Sequence, residues 1–113
     1  MYKREVKRVR FSSKLYISPS LDKKCGTVKW KLRTGRPQPF IYIIALAPNN
    51  DLLEIYHSGI LKQKYYKKKQ NAPYIVGIAE GYGGAVDLVI DIIQDVFRET
   101  GSYDVKAFLQ NNS

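Results

Sequence analysis

One cysteine, one histidine and no long apolar run stand where the usual chemical signatures would be in this 113-residue chain, and each shortage excludes something. A lone thiol, Cys25, cannot pair within the chain, and with His57 as the sole imidazole it cannot complete a structural zinc set. No apolar segment reaches the length of a signal-peptide core or a membrane span, so a reducing cytoplasm is the expected compartment and no membrane contact is expected. Internal repeats are missing, and so are the RNP, KH and helix-turn-helix signatures of nucleic-acid binders. No metal, cofactor or catalytic set is expected, and the chain reads as a binding module before it reads as an enzyme.

What is present is apolar content of 44%, high enough for a globule. A domain of this length buries roughly two-thirds of the surface its unfolded form exposes and needs no disulfide or metal staple. The net charge of +9 is unevenly spread: residues 1–36 carry 12 basic and 2 acidic side chains, whereas residues 72–113 carry 2 basic and 6 acidic. A basic front and an acidic back could steer a polyanion to one face or bring copies of the chain together front to back.

Residues 1–13 read as a basic arm, and residues 14–113 as a single α/β domain. Lys14-Leu15-Tyr16-Ile17-Ser18 is a short β-type run closed by Pro19 and Ser20. Residues 21–33 admit two readings. Val28, Trp30 and Leu32 alternate with basic residues as in a strand, while Leu21, Cys25, Val28 and Leu32 fall on one side of a helix that would expose Trp30. The basic C-terminal half and the Gly35, Pro37 stop favour the helix. Residues 40–47, nearly all apolar and β-rich between Pro39 and Pro48, predict a strand buried on both faces. Residues 52–57 then return as a hairpin partner, with Ser58 capping a short helix; the competing reading makes Leu52, Leu53, Tyr56 and Ile60 one helical face.

Tyr74 to Glu80 is a further interior strand, and glycines lead from it into a helix over residues 84–100. Its polar positions Asp87, Asp91, Gln94, Asp95 and Arg98 keep to one narrow stripe, which predicts a helix mostly covered by a sheet. Gly101 ends it, and Val105, Phe108 and Leu109 form a short amphipathic tail.

The runs Leu-Tyr-Ile-Ser at Leu15, Lys-Trp-Lys-Leu at Lys29, Tyr-Ile-Ile-Ala-Leu-Ala at Tyr42, Leu-Leu-Glu-Ile at Leu52 and Tyr-Ile-Val-Gly-Ile-Ala-Glu-Gly-Tyr at Tyr74 resemble a group of small uncharacterised bacterial proteins of similar length. The resemblance covers the chain from about Lys14 onward. It implies the helical form of residues 21–33 and no activity.

Among candidate sites, Gly81, Gly83 and Gly84 lie where a strand feeds a helix, a place where backbone N–H groups can cradle a phosphate. The spacing matches no dinucleotide or P-loop motif, and a tight turn explains the glycines equally. Asp87, Asp91 and Asp95 recur every fourth residue, as a cation site or simply as a solvated face. The stronger lead is basic and aromatic. Lys29, Trp30 and Lys31, with the run from Lys62 to Lys69 that holds Lys64, Tyr65, Tyr66, Lys67 and Lys68, interleave cations with rings as single-strand binders do, ammonium groups meeting phosphates and flat rings stacking on bases. The alternative is a solvated lysine loop and a tryptophan that anchors packing.

The expected architecture is therefore a two-layer α/β sandwich: a mixed sheet of about four strands, with two main helices on one face and a short helical turn. A sheet so covered leaves its other face in want of a partner, and a homo-oligomer follows. The expected function is a non-enzymatic module whose basic half engages nucleic acid or another polyanion, with an assembly domain that recognises other chains as the alternative. A small enzyme holding a phosphate-bearing ligand at residues 81–84 ranks third.

Overall fold

Two segments that are apolar at nearly every position end up side by side at the centre of the sheet. In the computed structural model, which describes residues 9–46, 52–67 and 72–111, β2 (Ile41–Leu46) pairs antiparallel with β4 (Tyr74–Glu80). The edge strand β1 (Arg10–Ile17) runs parallel to β4, and β3 (Leu53–His57) runs antiparallel to β2, giving the order β1-β4-β2-β3. The mixed four-stranded sheet and the two main helices agree with the fold class expected from the sequence. Residues 53–57 take the hairpin form, not the helical one.

Because successive strand residues point to opposite faces, a strand apolar at every position supplies two cores. Ile41, Ile43, Ile75 and Ile78 join Leu21, Val28, Leu32 and Leu61 on one face. On the other, Ile44, Leu46, Val76 and Ala79 pack with Ala85, Leu88, Ile92, Val96, Val105, Phe108 and Leu109. The register of β2 against β4 slips between Ile44 and Ala45, an irregularity of the kind that adds local twist to a strand pair.

Residues 19–34 are helical throughout: a 3-10 turn, Pro19–Lys24, runs into α1 (Cys25–Thr34). A second 3-10 turn, Ser58–Lys62, precedes the short α2 (Lys64–Lys67). Leu21, Val28 and Leu32 place α1 on the first face, together with the turn that carries Leu61. The long α3 (Gly81–Thr100) and the terminal α4 (Val105–Asn111) cover the second. The expectation that both main helices share one face is therefore wrong. They lie on opposite sides, so the sheet is sandwiched between two helical layers. Apolar spacing shows that a helix is buried along one edge but carries no label for the sheet face that receives it. With both faces covered by this chain, the uncovered face that argued for a homo-oligomer is gone.

Three boundaries also differ. β1 begins at Arg10, so residues 10–13 of the expected basic arm belong to the sheet, while residues 1–8 lie outside the described residues. α3 begins at Gly81, directly after β4. His57, not Ser58, caps the second 3-10 turn: its Nδ1 accepts the Gly59 N–H at 3.0 Å, and Ser58 is buried. Nor is α3 mostly covered, since Ile90 and Phe97 are 47% and 49% exposed.

The flank of α3 is tied to the edge strand by one polar contact. The Tyr16 hydroxyl donates to the Asp95 carboxylate at 2.6 Å, and Arg98 pairs with the same group. That hydrogen bond holds the Asp95 carboxyl below the usual carboxylate range, with help from Arg98 and against the effect of burial. Burial, reinforced by Asp95, pushes the Tyr16 phenol above its ordinary value. A lowered carboxyl contributes stability that is complete above its unfolded pKa of about 4 and is lost as pH falls through the folded value. A raised phenol contributes stability that is complete below about 10 and is lost as pH rises beyond it. Urea unfolding of wild type and Asp95→Asn should thus differ most between pH of about 5 and 9, with the gap closing below about 4. A gap independent of pH would contradict the assignment.

Candidate nucleic-acid interface

The sheet divides the charges unequally. The helical segments on the α1 face, residues 19–40 and 58–66, carry Lys23, Lys24, Lys29, Lys31, Arg33, Arg36, Lys62 and Lys64 against Asp22 alone. α3 and the residues after it carry Asp87, Asp91, Asp95, Glu99 and Asp104 against Arg98 and Lys106, and two cations of β1 lie on this side as well, Arg10 over Tyr74 and Lys14 over Phe108. The front-to-back asymmetry of the sequence becomes a difference between two layers.

Consecutive residues on a helix point about 100° apart, so Lys29, Trp30 and Lys31 cannot form one patch. Lys29 reaches back to β1, with its Nζ 5.2 Å from the centre of the Phe11 ring; the Arg33 guanidinium joins it at 4.8 Å. Trp30 faces solvent with 45% of its surface free, and the Arg36 guanidinium lies 4.9 Å from its ring centre. Lys31 turns the other way, into the cleft beside residues 37–39. In the second cluster, Lys64 and Tyr65 are exposed and Tyr66 packs against Tyr65 and Tyr56, at 4.8 and 6.2 Å between rings. Lys67 is the last residue of α2, and Lys68 and Lys69 lie outside the described residues.

Between the end of α1 and the second 3-10 turn is a cavity of about 230 Å³, whose walls include Lys31, Leu32, Arg36, Pro37, His57, Leu61 and Lys62. A neighbouring cavity of about 340 Å³ shares Lys31, Pro37, Gln38 and Pro39 with it and continues past Lys24 and Phe40 to Glu80. Apolar walls with a few cations at the rim suit a flat ring carrying negative charge. Gln38 holds this region together. Its buried side-chain amide donates to the Val28 carbonyl at 3.4 Å, and its main-chain carbonyl accepts from Ser58 Oγ at 3.0 Å and from the Ile41 N–H at 3.1 Å.

Arg36, Lys24 and Gln38 were not among the binding residues that the sequence singled out, whereas Lys62 opens the basic run of residues 62–69 named there. The available signal was Gly35-Arg36-Pro37-Gln38-Pro39, where two prolines stiffen the chain just past a helix stop. Gly35 is left-handed at φ 74°, and the Gly35 and Arg36 N–H groups both return to the Lys31 carbonyl. That turn aims Arg36 back at Trp30.

The glycine turn serves packing. Gly81 has φ 76°, a conformation costly for other residues, and its N–H donates to the Phe40 carbonyl at 2.7 Å. Gly84 lies against Ser18 Oγ, where an added Cβ would come within 3.3 Å, while Gly83 faces open space. The first N–H of the turn is thus already used within the fold. On α3, Asp87 and Asp91 stay exposed and Asp95 is bound to Tyr16 and Arg98; among the described residues no group of three His, Cys, Asp or Glu side chains could hold a metal. Cys25 is half-buried with a free thiol.

Comparison with protein-family models, with curated proteins and with solved structures gave no match. The functional reading therefore rests on these side chains.

His57 stands at the cavity wall with both ring nitrogens in use. Nδ1 accepts from Gly59, so the proton sits on Nε2, which donates to the Pro39 carbonyl at 3.0 Å. An imidazole engaged in this way has no lone pair free to act as a base. Nitrogen-15 NMR should show the Nε2–H tautomer, with a hydrogen-bonded Nδ1; a proton on Nδ1 would contradict the arrangement.

Proposed function

We propose that this chain is a non-enzymatic binding module whose basic helical layer takes up single-stranded nucleic acid or a closely similar polyanion. One observation carries the reading: most of the described cations, the exposed Trp30 ring and two adjoining cavities share one side of the sheet, while most carboxylates lie on the other. In this reading Lys24, Lys31, Arg36 and Lys62 meet successive phosphates along the cleft, and Trp30 and Tyr65 offer flat faces to unpaired bases. Lys64 extends the cationic track toward α2. Lys29 acts less directly, since its ammonium already rests on Phe11. The chain works in a reducing cytoplasm, where Cys25 stays a thiol. Kinship with the small bacterial proteins it resembles belongs to the same reading and adds no activity to it.

Trp30 is the single tryptophan, so its fluorescence reports binding at the proposed face without a label. Titration with an unpaired oligonucleotide should quench it. With about four phosphate contacts, the logarithm of affinity should fall with the logarithm of salt at a slope of about −3, or roughly 50-fold between 50 and 200 mM. Arg36→Ala and Lys62→Ala should each flatten that slope by about one. Trp30→Ala, followed by a labelled oligonucleotide, should cost about 1–3 kcal/mol. Equal affinity for a polyanion without bases would restrict the reading to phosphate or sulfate density, and absence of binding at low salt would remove it.

A further inference from the structure

The buried edge of α3 is Ala85, Leu88, Ile92 and Val96, and its polar edge is Asp87, Asp91, Gln94 and Arg98. A third edge is apolar and turned outward. Tyr82, Val86, Ile90, Ile93 and Phe97 follow one another at offsets of four, four, three and four, the spacing of a seam between two helices. Tyr82 is 59%, Ile90 47%, Ile93 37% and Phe97 49% exposed, and Tyr103 stacks on Phe97 at 5.0 Å while itself 67% exposed. Aromatic side chains bury about 150–250 Å² each, so three rings with roughly half or more of their surface free leave on the order of 300 Å² of apolar surface before the isoleucines are added. A patch of that size matches the largest apolar patch on a typical monomer, which is often functional. It belongs to the acidic layer, across the sheet from the basic cleft.

The stripe is complementary to itself. When two copies of α3 are set antiparallel about a two-fold axis, Ile90 of one meets Ile93 of the other, and Val86 meets Phe97, small against large. Asp87 then falls opposite Arg98. Each of these pairs is centred between Asp91 and Ile93, so one axis satisfies all of them, as a two-fold interface requires. Asp87 is exposed, and the Arg98 side chain is 66% free. Its contact with Asp95 uses one nitrogen of a group with five N–H donors.

We infer that the outward stripe of α3 binds a second copy of this chain, forming an antiparallel α3–α3 dimer closed by reciprocal Asp87–Arg98 pairs. The rim of Asp87, Gln94 and Arg98 enlarges the apolar centre toward the roughly 800 Å² per partner of a stable interface. Both basic clefts then face outward, away from the contact. The inference does not depend on what those clefts bind.

Sedimentation velocity across a range of protein concentrations should give a species of twice the 13.0 kDa chain mass. Ile90→Lys and Ile93→Lys should each give a monomer with unchanged circular dichroism. Asp87→Arg should weaken association tenfold or more, and the double variant Asp87→Arg/Arg98→Asp should recover most of that loss, a rescue that only self-pairing across the axis explains. Arg98→Asp alone also disturbs the contact with Asp95, so the comparison of Asp87→Arg with the double variant decides. A monomeric wild type overturns the inference, and would leave the stripe to a different partner. So does a dimer that survives both lysine substitutions, or a double variant no stronger than Asp87→Arg.

Discussion

β2 and β4 are buried on both faces at all but a few positions, and the rest of the molecule follows from that constraint. Ile43, Ile44, Ile75 and Ile78 are completely buried although they point to alternate faces of the sheet. Leaving any of them exposed would forfeit about 1.5–3 kcal/mol per side chain. The chain must therefore supply a helical layer to each face, which it does with α1 and the Ser58–Lys62 turn on one side and α3 with α4 on the other. Those layers come from different parts of a sequence whose charge changes sign along its length. Covering the sheet twice thus separates basic from acidic surface.

Much of this was legible beforehand, because strand apolarity and helix punctuation are local properties. Tyr74–Glu80 was readable to the residue, and Gly101 ended α3 where a left-handed glycine was expected. The offsets of Leu21, Cys25, Val28 and Leu32 favoured a helix with Trp30 outward, and Trp30 is outward. What failed was non-local. A strand buried on both faces has lost the alternation that would say which face each helix covers, so α1 was assigned to the wrong side. β1 was read short because Arg10, Ser12 and Ser13 look like an arm until Arg10 and Phe11 are seen paired with Tyr74 and Ile75. In α3 a narrow polar stripe was read as a covered helix, but a helix has room for a buried edge, a polar edge and an exposed apolar edge at once.

The candidate site divides along the same line. Trp30, Lys31 and Lys62 could be named from composition, whereas Arg36 and Lys24 join them only through the turn at Gly35, the stiff prolines and the Gln38 hydrogen bonds. Lys29 shows the converse: a cation counted toward a patch by its neighbours in sequence spends itself on Phe11. The two proposed contacts use opposite layers, an electrostatic and stacking contact on the α1 side and an apolar contact on the α3 side. A dimer joined through α3 would carry two outward basic clefts, so a long polyanion could engage both at once and gain avidity without any further contact.

The central claim is that the sheet divides the surface into two faces with different partners. Chemical-shift mapping of nitrogen-15-labelled protein with a short unpaired oligonucleotide tests it most directly. The account predicts perturbed amides and the Trp30 indole confined to residues 24–39 and 57–66, with α3 silent. Shifts clustered along α3, or scattered over both layers, would contradict it.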